Sequence, residues 1–304
     1  MQIIDASWRQ SGGQGSVWRP GGASRGRAAR ARRRDERYEK CMPSEPRPAS
    51  TVLLLRDGPS GPQVFMVKRS ARMAFMPDAH VFPGGRVDVS DSALPLFGGA
   101  LDRSRIGGDG AGALQAAAIR ETFEEAGVLL ARGGAPSVED RQALLRGALG
   151  FEALVARLGL HLDAEAIRLW SWWITPEIEP RRYSTRFFVA QAPDAAEASH
   201  DDGETVQSAW WTPAEALAKF EAGQVQLAPP TFVTLRELLP YEQAADVLAA
   251  AASRRVVPIE PTGALHEDGS VTIYLPGDPL HPSPDRVDGP TRVTLRQGRW
   301  LVHR

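Results

Sequence analysis

The chain has 304 residues, 42% hydrophobic and 24% charged, with a net charge of −1. That length supports one large domain or a domain with an appendage, no apolar run approaches the roughly 20 residues needed to cross a bilayer, and the single cysteine, Cys41, excludes an internal disulfide. The charge is uneven: residues 1–40 carry ten Lys/Arg against four Asp/Glu, so the rest is acidic and unsuited to bulk nucleic-acid binding.

With no secretory hydrophobic region at the N-terminus and one cysteine, the expected address is the cytoplasm. Residues 1–47, rich in Gly, Arg and Ala, are expected to form a disordered, solvated basic arm. Order is expected to begin near Ser50. Thr51–Arg56 and Val64–Lys68 are rich in Val and Leu and flank the turn-forming run Asp57–Pro62, which predicts a β-hairpin. A Gly/Pro-rich stretch, Pro77–Gly85, follows, and residues 90–111 look like a loop. Ala111–Leu130 predicts a long helix and Val138–Leu158 a second helical stretch. Arg168–Thr175, Ser184–Ala192 and Thr205–Trp211 predict strands. Thr212 before Pro213 marks the start of a helix over Pro213–Phe220. Thr231–Leu239 and Glu242–Arg254 predict further helices, and Val256–Arg304 short strands broken by Gly and Pro. This order suggests an α/β protein with a mixed sheet between helical layers.

The informative segment is Arg120-Glu121-Thr122-Phe123-Glu124-Glu125-Ala126-Gly127-Val128. At about 100° per residue, Ile119, Phe123, Ala126 and Leu130 form an apolar stripe. Glu121, Glu124 and Glu125 fall on the opposite side at i, i+3 and i+4. Carboxylates so placed repel one another, the more so in a low-dielectric cleft, and a hard divalent cation relieves the conflict. A solvated acidic face is the alternative for such a cluster by itself. Upstream lies His80-Val81-Phe82-Pro83-Gly84-Gly85, whose paired glycines allow backbone to approach a phosphate closely.

Together these segments resemble the Nudix box, G-x5-E-x7-R-E-U-x-E-E-x-G-U, with U a bulky aliphatic. Gly85 matches the first Gly, and Arg120, Glu121, Glu124, Glu125, Gly127 and Val128 match the second half. Thr122 replaces an aliphatic, and 21 extra residues separate Gly85 from Arg120. Asp91 stands six residues after Gly85, at the place of the box's first Glu. The run from Lys68 to Gly85, with Arg69-Ser70 and Phe75-Met76-Pro77, looks like the interrupted-box branch of peroxisomal-type coenzyme A diphosphatases and their bacterial relatives. Asp78 and Ala74 depart from that branch's pattern.

The resemblance implies a Nudix-type α/β/α sandwich over residues 48–240, with an insertion at about 88–111 and a C-terminal helical and short-strand extension over 241–304. That extension is a candidate cap, pocket wall or homodimer contact. The resemblance also implies Mg2+ or Mn2+ held by Glu121, Glu124 and Glu125, with Arg120 orienting Glu121 or another acidic partner. Arg69, Gly84, Gly85, Arg181 and Arg186 are the expected substrate contacts, since Arg binds phosphate bidentately. Glu204 is the candidate catalytic base, with Glu177 and Glu179 as alternatives. Trp170, Trp172 and Trp173 are expected in the core, Trp170 and Trp172 on one strand face. The implied activity is hydrolysis of the diphosphate bond of coenzyme A or acyl-coenzyme A. The alternatives are an ADP-ribose, dinucleotide or nucleotide-sugar diphosphatase, and a non-catalytic nucleotide-binding module; the partner in each case is a small nucleotide diphosphate.

Overall fold

In a computed structural model the protein is described over residues 44–71, 77–101, 106–107, 110–193, 198–199, 201 and 205–303. Cys41, Ala74, Phe75, Met76, Glu204 and nearly all of the basic arm lie outside these residues. The central strand is β1 (Arg47–Gly58), and a tight turn returns the chain as β2 (Gly61–Arg69), pairing Leu55 with Val64. The predicted hairpin is therefore present. Val52, Leu53, Leu54 and Leu55 are all fully buried, as expected of a strand covered on both faces. Alternation sends Val52 and Leu54 into one core and Leu53 and Leu55 into the other.

The short strands β3 (Ala79–Val81) and β4 (Gly84–Arg86) follow. β4 pairs with the first half of β1, Gly85 opposite Ser50. The stretch expected to be a loop holds a 3-10 turn at Val89–Ala93 and β5 (Leu96–Phe97). Helix α1 (Ala111–Ala126) stops four residues short of the predicted end, because Gly127 takes the left-handed conformation, φ 73°, and returns its N–H to the carbonyl of Phe123. After β6 (Ala131–Arg132), the second helical stretch is two helices, α2 (Val138–Leu145) and α3 (Phe151–Leu158). The break falls at Gly147 and Gly150, where helix propensity is poor.

β7 (His161–Asp163), β8 (Ile167–Ile174), β9 (Tyr183–Gln191) and β10 (Thr205–Trp211) come next. β9 runs parallel to β1 along its whole length and antiparallel to β8. A bulge between Leu169 and Ser171 shifts the alternation of β8. Trp170 and Trp173 therefore enter the same core, while Trp172 faces the Arg186 guanidinium. The expectation that Trp170 and Trp172 share a face is corrected by that bulge.

Helix α4 (Pro213–Glu221) begins at a Thr212/Glu215 capping box. Then come β11 (Gln226–Leu227), α5 (Pro229–Leu238) and α6 (Ala244–Ser253). β12 (Pro258–Ile259) adds an edge beside β8. β13 (Thr262–Leu265), β14 (Val271–Tyr274), β15 (Arg292–Arg296) and β16 (Arg299–Val302) form an antiparallel sheet.

The large mixed sheet thus lies between two helical layers. α1 and α3 share one core with Val52, Leu54 and Phe188. α4, α5 and α6 share the other with Leu53, Trp170 and Val189. Ile273, Leu275, Val293 and Trp300 of the C-terminal sheet belong to this second core, and the Trp300 indole donates to the carbonyl of Leu227 at 3.1 Å. The extension covers the helical layer.

His80 on β3 is buried against the Trp211 ring, 5.1 Å between centroids. Burial, with Lys68 nearby, lowers its pKa from 6.5 to about 4. The unfolded chain takes up this proton first as pH falls. Stability is therefore expected to be full above about pH 6.5 and to decline towards pH 4, by at most about 3 kcal/mol. Urea unfolding of wild type and His80→Gln across that range checks it; equal slopes for the two proteins would remove His80 from the effect.

Candidate active site

Helix α1 carries the acidic segment, and its buried and exposed sides follow from composition. Ile119, Phe123 and Ala126 pack into the core. Thr122, at the position where the motif has an aliphatic residue, is fully buried and donates its hydroxyl to the carbonyl of Ala118 at 2.7 Å. That local bond satisfies the hydroxyl and lets threonine stand in for a β-branched aliphatic.

The paired glycines lie directly on this helix. The Gly84 N–H donates to the Glu125 carboxylate at 2.9 Å. A β-carbon at Gly85 would run into the carboxylate of Glu121, so only glycine allows this approach. Glu125 is buried, and Glu121 and Glu124 are half-buried. Gly85→Ala is therefore expected to keep the fold but displace Glu121, with a loss of kcat of roughly 10- to 100-fold. Steady-state rates together with an unchanged circular dichroism spectrum check this; full activity would mean that the contact has no role.

Arg120 organises the acids. Its Nε and Nη2 form a two-point pair with Asp91, at 2.9 and 3.0 Å. Nη1 reaches Glu121 at 2.8 Å and Glu124 at 3.2 Å, and Nη2 also donates to the carbonyl of Arg86 at 2.9 Å. Arg120 is 6% exposed and Asp91 1%. Burial opposes the charge on Arg120, but the bond to Asp91 and the fields of Glu121, Asp91 and Glu124 outweigh it and raise its pKa. Burial also raises the pKa of Glu124, against the pull of Arg120. The acidic partner left open by the sequence includes Asp91, supplied by the 3-10 turn that precedes the extra residues. The inserted residues thus leave the spacing Gly85 to Asp91 intact and lengthen the chain only after it.

A second arginine, Arg141 on α2, was not singled out by any motif. Its Nε and Nη2 donate to the Glu124 carbonyl at 3.2 and 2.9 Å, and it also bonds the hydroxyl and carbonyl of Ser199 at 2.9 and 2.8 Å. A β-carbon on Gly127 would lie 2.8 Å from its Nη1. The box glycine therefore both ends the helix and makes room for this arginine, which holds the last turn of α1.

The remaining candidates are spread out. Arg69 ends β2 opposite Thr205 and is half-buried, and among the described residues its Nε has no hydrogen-bond partner. Arg181 is exposed in the turn between β8 and β9, and its neighbour Arg182 is instead buried, bonded to the carbonyls of Thr175 and Ser44 and to Glu260. Arg186 is occupied elsewhere: it is buried, bonds the Ile106 carbonyl at 2.7 Å and the Ser184 hydroxyl at 2.6 Å, and stacks 3.8 Å from the Trp172 ring centre. Burial lowers its pKa to about 10. Glu177 is exposed and Glu179 half-buried, both in the turn that carries Arg181.

The donor set of Glu121, Glu124 and Glu125 is all oxygen, the chemistry a hard divalent cation prefers. Among the described residues no three acidic, His or Cys side chains converge closely enough to enclose an ion in this arrangement. The Arg120 guanidinium lies against both Glu121 and Glu124. Among the described residues no helix is long and apolar enough to cross a membrane.

A family profile described as the NUDT19 Nudix domain matches residues 100–238. The Acyl-coenzyme A diphosphatase NUDT19 of Gallus gallus is 32% identical, over 80% of this chain and 79% of that protein. The Homo sapiens protein of the same name is 30% identical, over 79% and 75%. Among solved structures, a NUDIX hydrolase from Alicyclobacillus acidocaldarius superposes with a TM-score of 0.60 at 27% identity, over 68% of this chain and 96% of that one.

Proposed function

Because the chain belongs to the NUDT19 family of Nudix hydrolases, we propose that it hydrolyses the diphosphate bond of coenzyme A or an acyl-coenzyme A, using Mg2+ or Mn2+. The observation that carries the reading is the seating of Gly84 and Gly85 on the carboxylates of Glu125 and Glu121, in a chain 32% identical to a protein named acyl-coenzyme A diphosphatase. The products are a phosphopantetheine and an adenosine bisphosphate, with water supplying the new oxygen.

Glu121, Glu124 and Glu125 are the residues proposed to hold the cation. A divalent cation at this place supplies Lewis-acid polarisation of the diphosphate and lowers the pKa of bound water. Arg120 keeps Glu121 and Glu124 aligned, and Asp91 keeps Arg120 in place. The Gly84 N–H already serves Glu125, so the two glycines contribute mainly space for the phosphates. Arg69, with its unpartnered Nε, and Arg181 are the proposed contacts to substrate anions. Arg186 supports the region by fixing the Ile106 segment. Glu204 is the proposed base, on the segment that leads into β10.

A panel of coenzyme A, acetyl-coenzyme A, ADP-ribose, NADH and diadenosine polyphosphates, each with Mg2+ or Mn2+, tests the substrate. Turnover of the coenzyme A compounds alone is the expected result. Turnover of ADP-ribose alone moves the assignment to a different diphosphatase, and binding of any of them with no turnover makes the protein a sensor.

A further inference from the structure

A second cleft lies on the opposite side of the large sheet from α1, where α5 and α6 meet the C-terminal sheet. It is an open groove of about 780 Å³, within the range that small organic ligands fill. Its lining is rich in arginine: Arg236, Arg254, Arg255 and Arg286, with Glu237 and Asp288 as the acids. The charges do not cancel evenly. Glu237 is committed to Arg254 at 2.8 Å and accepts the Trp170 indole N–H at 2.9 Å. Arg254 in turn stacks 4.3 Å from the Trp170 ring centre. Glu237 and Arg254 are thereby held in place against Trp170. Arg255 pairs with Asp285 at 3.0 Å. Among the described residues Arg236 and Arg286 have no ion-pair partner, and only Asp288 remains to oppose them.

Tyr241 lines the same cleft, held edge-on by Trp170 with 6.0 Å between centroids, and the Arg236 guanidinium lies 6.0 Å from the Phe232 ring centre. Guanidinium groups free of ion pairs and a ring in one cleft suit a ligand with a phosphate at one end and a flat or apolar body at the other. We infer that this cleft is a second, non-catalytic site for a small phosphomonoester, built between α5 and the extension and separate from the acidic helix. It does not depend on the diphosphatase reading.

The test is calorimetric titration of the full chain with adenosine 5′-monophosphate in excess EDTA, which removes metal-dependent binding at the carboxylates. Saturable binding is expected, weakened roughly tenfold or more in the Arg236→Gln/Arg286→Gln double variant and unaffected by Arg69→Gln. Metal-dependent turnover in the double variant is expected to stay within about twofold of wild type, because neither arginine touches the acidic helix. No saturable binding, equal affinity in the double variant, or loss of binding in Arg69→Gln alone would each overturn the assignment.

Discussion

Replacing Glu124 by glutamine is expected to lower kcat by more than about a hundredfold, the scale of losing a main electrostatic stabiliser, while leaving the fold intact. Glutamine preserves shape and can still accept a hydrogen bond from Arg120, now at 3.2 Å from the carboxylate, but it removes one negative charge from the proposed cation site. The Glu124 side chain is 26% exposed, against 14% for Glu121 and 0% for Asp91, so its replacement does not open the core. Steady-state kinetics with Mn2+ and coenzyme A, alongside a melting curve, measure both halves of the prediction. Near-normal kcat would remove Glu124 from the cation site.

Asp91→Ala acts through stability as well as activity. Asp91 and Arg120 form a buried, two-point ion pair. Removing one member of such a pair leaves the other charge uncompensated, a loss of about 3 kcal/mol or more. Glu121 and Glu124 still oppose Arg120, so the guanidinium is expected to swing towards them and compete with a cation. A fall in urea midpoint accompanied by a higher Mn2+ requirement is the expected pair of results. An unchanged midpoint would show that the 3-10 turn contributes nothing to holding Arg120.

Much of this was legible in the residues. β1 and β2 are apolar runs around a Gly/Pro turn, and every strand predicted before residue 212 is present. The acidic face of α1 followed from i, i+3, i+4 spacing, and its neighbour Gly84-Gly85 from a motif. What was not legible depends on local turns and bulges of the backbone or on partners distant in sequence. The end of α1 is set by Gly127, whose left-handed turn overrides the helix-forming residues after it. The bulge in β8 reverses the faces of Trp172 and Trp173, which a strict period of two cannot show. Arg141 reaches the Glu124 carbonyl from another helix, and no spacing rule encodes that contact. Asp91 stood at the right distance from Gly85, yet only the folded 3-10 turn brings it back to Arg120 across the insertion.

Hydrolysis is proposed to depend on a cation held by one face of α1. Anomalous diffraction from crystals grown with Mn2+ tests it most directly. The expected peak lies within about 2.0–2.6 Å of carboxylate oxygens from Glu121, Glu124 and Glu125, with Glu124 turned away from Arg120. A catalytically active protein whose manganese lies elsewhere, with those carboxylates still bound only to Arg120 and Gly84, would contradict it.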